Sequence, residues 1–86
     1  MPVYQVLLSK AARKQLNTFP VFIHNKIIED IAALVETPRP AGCKKLKGQK
    51  NTWRIRVGDY RIIYEIEDKQ LRILVVAIGN RKDIYE

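Results

Sequence analysis

The stretch that decides the fold is WRIRVGDYRIIYEI, residues 53–66. In its first half, apolar side chains alternate with arginines, which is the period of two that a strand shows when only one of its faces is covered. Gly58-Asp59 then has the composition of a two-residue hairpin turn. A hairpin closed by this turn places Arg56 directly opposite Arg61.

Opposed arginines are unfavourable in a hairpin, because like charges that face each other across two strands destabilise the sheet. The surrounding window, residues 44–61, holds seven basic residues and one acid, and so carries +6 of the formal net charge of +7. The charge is therefore concentrated on the predicted sheet and on the loop before it. An anion between the two arginines would relieve their repulsion, and phosphate is the obvious candidate.

Length and composition describe one small domain, residues 1–86. The single cysteine, Cys43, excludes an internal disulfide and is typical of a reducing cytosol, so we expect a cytoplasmic protein. No apolar run approaches the ~18–20 residues that a membrane span needs. A sequence pI near 9.8 indicates an acidic partner, such as a nucleic acid, an anionic surface or an acidic protein.

Two helices are expected before the hairpin. The first begins after Ser9, a residue type that favours the N-cap position. The second begins at Pro20 and has apolar side chains at helical spacing. The last two strands are apolar on both faces in their middles, so both should be central in the sheet. The predicted strands are 2–8, 52–57, 60–67 and 70–78.

These elements predict an α+β fold in the order β-α-α-β-β-β, with the two N-terminal helices packed on one face of a mostly antiparallel four-stranded sheet. By alternation, Arg54, Arg56 and Arg61 share the face that the helices leave open. Further candidates follow the last strand, namely Arg81, Lys82 and Tyr85. Strict alternation puts Arg81 on the covered face, so its place in the cluster requires a bulge or bend at Gly79.

A cluster of this kind could bind RNA passively or cut it. Cutting by internal attack of the 2′-hydroxyl needs removal of a proton, neutralisation of charge at the phosphate and protonation of the leaving 5′-oxygen. The chain has one histidine, His24, and no residue set at metal-ligand spacing, so we expect no metal or other cofactor. Arginines can stabilise the transition state but hold their protons, whereas a lysine or Tyr85 among cations could transfer one.

Three segments carry a family resemblance: KKLKG at residues 44–48, WRIRVGDYRIIYEI at 53–66 and VVAIGNRKDIY at 75–85. With them, nearly the whole chain resembles the RelE branch of the RelE/ParE toxin superfamily, the toxin halves of prokaryotic toxin–antitoxin pairs. The resemblance implies a ribosome-dependent endoribonuclease that cuts mRNA in the A site without a metal, leaves a 2′,3′-cyclic phosphate and a 5′-hydroxyl, and so inhibits translation. It also implies three partners: a cognate antitoxin, the ribosome and mRNA.

The resemblance also assigns site residues. The family's catalytic positions fall on Arg54, Arg56, Arg61, Arg81 and Tyr85. Contacts to RNA and the ribosome are expected from Lys44, Lys45, Lys47, Lys50 and Lys82. Arg56 stands where the best-known member has a lysine proposed as general base, which leaves the base open between Tyr85 and a loop lysine.

Two other functions stay open at this point. A ParE-like toxin would inhibit DNA gyrase by protein contact, and a plain nucleic-acid-binding module would contact phosphates without cutting. The conjunction of the five catalytic candidates favours the nuclease. For the antitoxin we expect a segment that is both acidic and apolar, because Ile63, Leu74 and Val76 form an apolar surface beside the arginines by alternation.

Overall fold

Two helices lie against one face of a five-stranded sheet in the computed structural model, which describes residues 3–80. The strands are β1 (Gln5–Leu8), β2 (Lys44–Lys45), β3 (Thr52–Val57), β4 (Tyr60–Glu67) and β5 (Arg72–Asn80). The helices are α1 (Lys10–Asn17), α2 (Val21–Ala33) and a short 3₁₀ helix, Asp68–Gln70, between β4 and β5. The predicted α+β class and the predicted order of elements are confirmed, with one short strand added.

The sheet has the order β1-β5-β4-β3-β2, so β4 and β5 are central, as their apolar middles predicted. It is a mixed sheet, because β1 runs parallel to β5 while the other three pairs are antiparallel. The prediction of four strands was wrong by one. The additional strand, β2, has only two residues, which is too short to show alternation in a sequence.

The β3–β4 hairpin has the predicted register. Arg56 opposes Arg61 and Val57 opposes Tyr60 across a two-residue turn. Gly58 begins this turn with a φ of +61°, a left-handed conformation that glycine adopts without steric cost. The local pattern of the sequence was therefore sufficient to place the two arginines side by side on one face.

The helices are positioned by local signals at their starts. The Ser9 hydroxyl oxygen accepts a hydrogen bond from the Ala12 amide at 3.0 Å, which caps α1. Pro20 precedes α2, where its fixed φ suits a helix start. One apolar core joins the buried stripes of both helices to the covered face of the sheet. Its helical members are Ala12, Leu16, Ile27 and Ile31, and its strand members are Ile55, Val57, Ile62, Tyr64, Ile66, Ile73, Val75 and Ile78.

A β-bulge interrupts the pairing of β4 with β5. Ile63 opposes Ala77, but its neighbour Tyr64 opposes Val75, so Val76 has no direct partner on β4. The extra residue inverts the alternation of side chains along the rest of β5. As a result Ala77 lies on the same face as Ile63.

The bulge lies three residues before the predicted position at Gly79. The physical reason is the core, because Val75 and Ile78 are both fully buried but are three positions apart, so a regular strand would point them to opposite faces. One extra residue between them lets both face the helices. Val76 itself has no partner on β4, so its place in an apolar surface with Ile63 and Leu74 stays a prediction.

Tyr64 offers a test of how the core is joined to the loop after α2. Its ring is fully buried and its hydroxyl donates to the Pro38 carbonyl oxygen at 2.8 Å. Burial raises the pKa of Tyr64 above its ordinary value. The folded state therefore favours the neutral phenol. The resulting stabilisation is complete at pH values below the pKa of Tyr64 in the unfolded chain, about 10, and it is lost as the pH rises further.

We expect Tyr64→Phe to lower the free energy of unfolding by about 1 kcal/mol at pH 7, the scale of one hydrogen bond. Urea unfolding at pH 7 and above pH 10 measures both effects, because the variant should also lose less stability in alkali than the wild type. Tyr4→Phe is the control, since the Tyr4 hydroxyl bonds Asp68 at an exposed position. Equal alkaline losses in Tyr64→Phe and in the wild type would contradict the role of burial.

Candidate functional site

The candidate site lies on the face of the sheet that the helices do not cover, which we call the open face. Cross-strand pairing defines two neighbouring rows on it: Arg54, Ile63 and Ala77 form one row, and Arg56, Arg61 and Gly79 form the next. None of these residues belongs to the apolar core beneath the helices. The prediction that the three arginines share one face is thus observed.

The three arginines differ in exposure. Arg56 is exposed, Arg61 is half-buried and Arg54 is only 4% exposed. Arg54 lies in the middle of the sheet, between Lys44 on β2 and Ile63 on β4, whereas Arg56 lies beyond the end of β2. Arg56 and Arg61 are therefore the guanidinium groups best placed to meet a ligand from solvent.

A small cleft of about 30 Å³ lies at the hairpin end of the sheet, between Arg56 and Arg61. Gly58, Asp59 and Tyr60 complete its lining. On the far side of Arg61 the neighbouring strand contributes Gly79, which has no side chain. The two arginines thus share a depression at the surface, and Asp59 supplies the one carboxylate in its wall.

The lysines form a separate basic surface at the edge of the sheet. Lys44 and Lys45 make up β2, and Lys47 and Lys50 lie in the following turn, all with exposed side chains. The Leu46 amide donates to the Thr52 carbonyl at 3.0 Å and so closes this turn onto the start of β3. We call residues 44–50 the lysine loop. It is continuous with the arginines through the pairing of Lys44 with Arg54.

A polar clamp that the sequence did not reveal holds the segment before the lysine loop. The Arg39 guanidinium bonds both carboxylate oxygens of Asp68, at 3.2 and 2.9 Å, and the Tyr4 hydroxyl donates to the same carboxylate at 2.7 Å. These bonds lower the pKa of Asp68, with Arg39 as the main cause. Arg39 also lies over the Trp53 ring, 5.0 Å from its centre. The clamp residues are far apart in the sequence, so no motif could have indicated them.

Two aromatic side chains of the hairpin have packing roles. Trp53 opposes Tyr64 and packs against the core. Tyr60 packs on Phe19, with 4.8 Å between the ring centres. His24 lies on α2, with its Nδ1 atom 3.4 Å from the Asn25 side-chain oxygen. These aromatic rings therefore support the fold rather than form a base-stacking platform.

Three predicted site residues, Arg81, Lys82 and Tyr85, lie outside the described residues, and their roles stay predictions. Within residues 3–80, no group of three His, Cys, Asp or Glu side chains is placed to hold a metal ion. None of the helices in this part of the chain is both long enough and apolar enough to span a bilayer.

Comparisons with known proteins agree with this arrangement. A family model described as the ParE toxin of the type II toxin–antitoxin system parDE matches residues 6–85. A putative RelE-like toxin protein of Escherichia coli is 30% identical over 86 residues, covering 95% of this chain and 90% of that protein. Toxin RelG of Mycobacterium tuberculosis is 28% identical over 83 residues and 95% of each chain is covered.

Solved structures show the same fold in complexes. The archaeal RelE–RelB complex from Pyrococcus horikoshii contains a chain with a TM-score of 0.83 and 28% identity, covering 95% of this chain and 99% of that one. The RelBE2 toxin–antitoxin complex of Mycobacterium tuberculosis contains another, with a TM-score of 0.81, 26% identity, and coverage of 92% and 99%. The family model is named for ParE, whereas these relatives are RelE-like. The chain belongs to the RelE branch of the RelE/ParE superfamily, the toxins of type II toxin–antitoxin systems.

Proposed function

We propose that this toxin is a ribosome-dependent mRNA endonuclease that cuts in the A site and so inhibits translation. The observation that carries the proposal is the opposed pair Arg56 and Arg61, which shares one cleft on the open face with Gly79 beyond it. A phosphodiester placed there would meet two guanidinium groups, each able to donate charge-assisted hydrogen bonds to its oxygens. RelE-like relatives over nearly the whole chain support the same assignment.

The reaction follows from the chemistry of RNA. The 2′-oxygen attacks the neighbouring phosphorus, its proton passes to a base, and the bond to the 5′-oxygen breaks as that oxygen takes a proton. Arg56 and Arg61 stabilise the charge that develops on the phosphate oxygens. Arg54 is almost completely buried. We therefore expect it to add positive electrostatic potential from the neighbouring row rather than to contact the phosphate directly. Arg81 and Tyr85 complete the proposed catalytic group, and Tyr85 or a loop lysine is the proposed base.

The ribosome supplies what this domain lacks. A chain of 10.0 kDa has little surface with which to hold a flexible mRNA in line for attack, and correct placement of the reacting groups accounts for a large part of catalysis. The lysine loop and Lys82 are the proposed contacts to ribosomal RNA and mRNA phosphates. Binding through such contacts weakens as the salt concentration rises.

An in vitro translation reaction tests the proposal. After the toxin is added, primer extension should show new mRNA ends inside A-site codons, and the downstream fragments should carry a 5′-hydroxyl. The same mRNA without ribosomes is the control and should stay largely intact. A gyrase-directed toxin would leave the mRNA whole and block DNA supercoiling. A passive binding module would also leave the mRNA whole but would not block supercoiling, so the cleavage assay and a parallel supercoiling assay together separate all three functions.

We further propose that a cognate antitoxin neutralises the toxin through the outer edge of β3. β2 pairs only with Trp53 and Arg54, so residues 55–57, which pair with β4 on their inner side, have no strand on their outer side within the described part of the chain. The Thr52 carbonyl points to the β2 side, and by alternation the backbone groups of Arg56 point the same way. An unpaired edge of this kind accepts an extended segment as an added strand.

The neighbouring surface indicates which side chains that segment carries. A cavity of about 410 Å³ lies between this edge and the end of α2, with walls that include Ala33, Leu34, Pro40 and Ile55. It offers more accessible apolar area than Ile63, which is only 6% exposed on the open face. An antitoxin segment with apolar side chains for the cavity and acidic ones for Arg56 fits this edge.

We expect the toxin–antitoxin complex to persist at ~0.5 M salt, because apolar burial is not screened as charge pairs are. Ala33→Asp should weaken it about tenfold or more, since a buried carboxylate would face the apolar cavity. Ala32→Asp is the matched control, because Ala32 is exposed on the same helix but does not line the cavity. Titration of each variant with the cognate antitoxin measures the effect. Equal affinities for the two variants, or dissociation of the wild-type complex by ~0.5 M salt, would contradict this surface.

A further inference from the structure

The outer edge of β5 is covered by two different elements. β1 pairs with β5 only as far as Val75, opposite Leu8. β5 continues from there to Asn80, and its edge is met by α1 instead of by a strand. Two backbone groups in this part of β5, the Val76 carbonyl and the Ile78 amide, therefore form hydrogen bonds with side chains of the helix and its cap.

Three hydrogen bonds between β5 and either α1 or its N-cap residue bracket the bulge. The Ser9 amide donates to the Val75 carbonyl at 2.9 Å, and the Ser9 hydroxyl donates to the Val76 carbonyl at 3.0 Å. The Gln15 side-chain oxygen accepts from the Ile78 amide at 2.7 Å. Ser9 thus bonds the strand at Val75 and Val76, where the bulge begins. Gln15 bonds Ile78, the first core residue after the bulge.

The bulge decides which side chains of β5 reach the candidate site. In a regular strand continuing from Leu74, the residues on the open face would be Val76 and Ile78. With the bulge, Ala77 and Gly79 lie there instead, opposite Ile63 and Arg61. A glycine beside Arg61 leaves its guanidinium group accessible, whereas a branched side chain there would cover it.

We propose that Gln15, together with Ser9, is a positioning residue for the arginine site, acting through the β5 bulge. This inference rests on the proposed nuclease function. Neither side chain lies on the open face, so neither touches RNA. They fix the strand so that Gly79 faces Arg61.

The test uses the full chain in the ribosome-dependent cleavage reaction. Gln15→Met keeps the length of the side chain but removes the acceptor for the Ile78 amide, and Gln15→Glu keeps an acceptor. We expect Gln15→Met to slow cleavage about tenfold or more while remaining folded at the assay temperature, and Gln15→Glu to restore most of the rate. Gln15→Ala serves in place of Gln15→Met if that variant is poorly folded.

A double-mutant cycle separates positioning from plain stability. In the Gln15→Met background, Arg61→Ala should cost much less activity than in the wild type, because a larger side chain of β5 then lies beside Arg61 in place of Gly79. Arg56→Ala should cost the same in both backgrounds, since Arg56 lies on β3, two strands from the bulge. If Gln15→Met only reduced the folded fraction, the loss of activity caused by each of the two arginine substitutions would change to the same extent or not at all.

If the wild type cleaves and the effects of Gln15→Met and Arg61→Ala are additive, this inference alone is overturned. A loss of rate in Gln15→Met that matches its unfolded fraction would also overturn it. A wild type that does not cleave mRNA on ribosomes would overturn the proposed function, and this inference with it. Proton exchange of the Ile78 amide, faster in Gln15→Met than in Gln15→Glu, gives a readout that does not depend on activity.

Discussion

Arg61→Ala is expected to lower the rate of ribosome-dependent mRNA cleavage by about 100-fold or more, the scale of losing one electrostatic partner of a transition state. Arg61 is half-buried on the open face, opposite Arg56 on one side and Gly79 on the other. Its guanidinium group therefore lies beside the cleft that it shares with Arg56. Single-turnover cleavage on ribosomes stalled at a defined codon measures the effect on the chemical step.

Folding should survive this substitution, because Arg61 is not part of the apolar core. Arg13→Ala is the matched control: it removes the same charge from an exposed position on α1, on the helical side of the molecule. Arg61→Lys should fall between the two, since a lysine keeps the charge but loses the planar two-point contact with phosphate. We expect Arg81→Ala to behave like Arg61→Ala.

Wild-type cleavage by both purified arginine variants would contradict the assignment of Arg61 and Arg81 to the catalytic site. A loss of equal size in Arg13→Ala would also contradict the site, because it would show that overall charge rather than a particular arginine controls the rate.

Ile62→Ala is expected to lower the free energy of unfolding by about 2–5 kcal/mol, the usual cost of truncating a fully buried isoleucine. Ile62 is 0% exposed and lies at the centre of β4, paired with Ile55 on β3 and Ile78 on β5. This row of three isoleucines lies under the helices, so the lost atoms leave a cavity in the middle of the core. A domain of this size has roughly 5–13 kcal/mol of stability in all.

Urea unfolding followed by circular dichroism measures this change. Ile28→Ala is the matched control, because Ile28 is 40% exposed on α2 and the same substitution there leaves no enclosed cavity. The control should cost well under half as much. Similar losses for the two variants would show that the covered face of the sheet is not the centre of the core.

The sequence by itself determined the hairpin and everything that depends on alternation alone. The limits of β3 and β4, the turn at Gly58 and the pairing of Arg56 with Arg61 all follow from contacts between residues close together in the chain. The central place of β4 and β5 followed from their apolar middles. The catalytic roles of the arginines and of Tyr85 were also predicted from the sequence, and they stay predictions.

Only the tertiary structure decided the features that join distant segments. The parallel pairing of β1 with β5 brings Leu7 beside Leu74, and the burial of Arg54 depends on strands to either side of it. The position of the bulge at Val76 depends on two kinds of contact between distant segments. Val75 and Ile78 must both reach the core, and the side chains of Ser9 and Gln15 bond the backbone of β5 on either side. Side-chain alternation can be read from the sequence of one strand alone. The position of a bulge in that strand depends on the helix that packs against it, which comes from a distant part of the sequence.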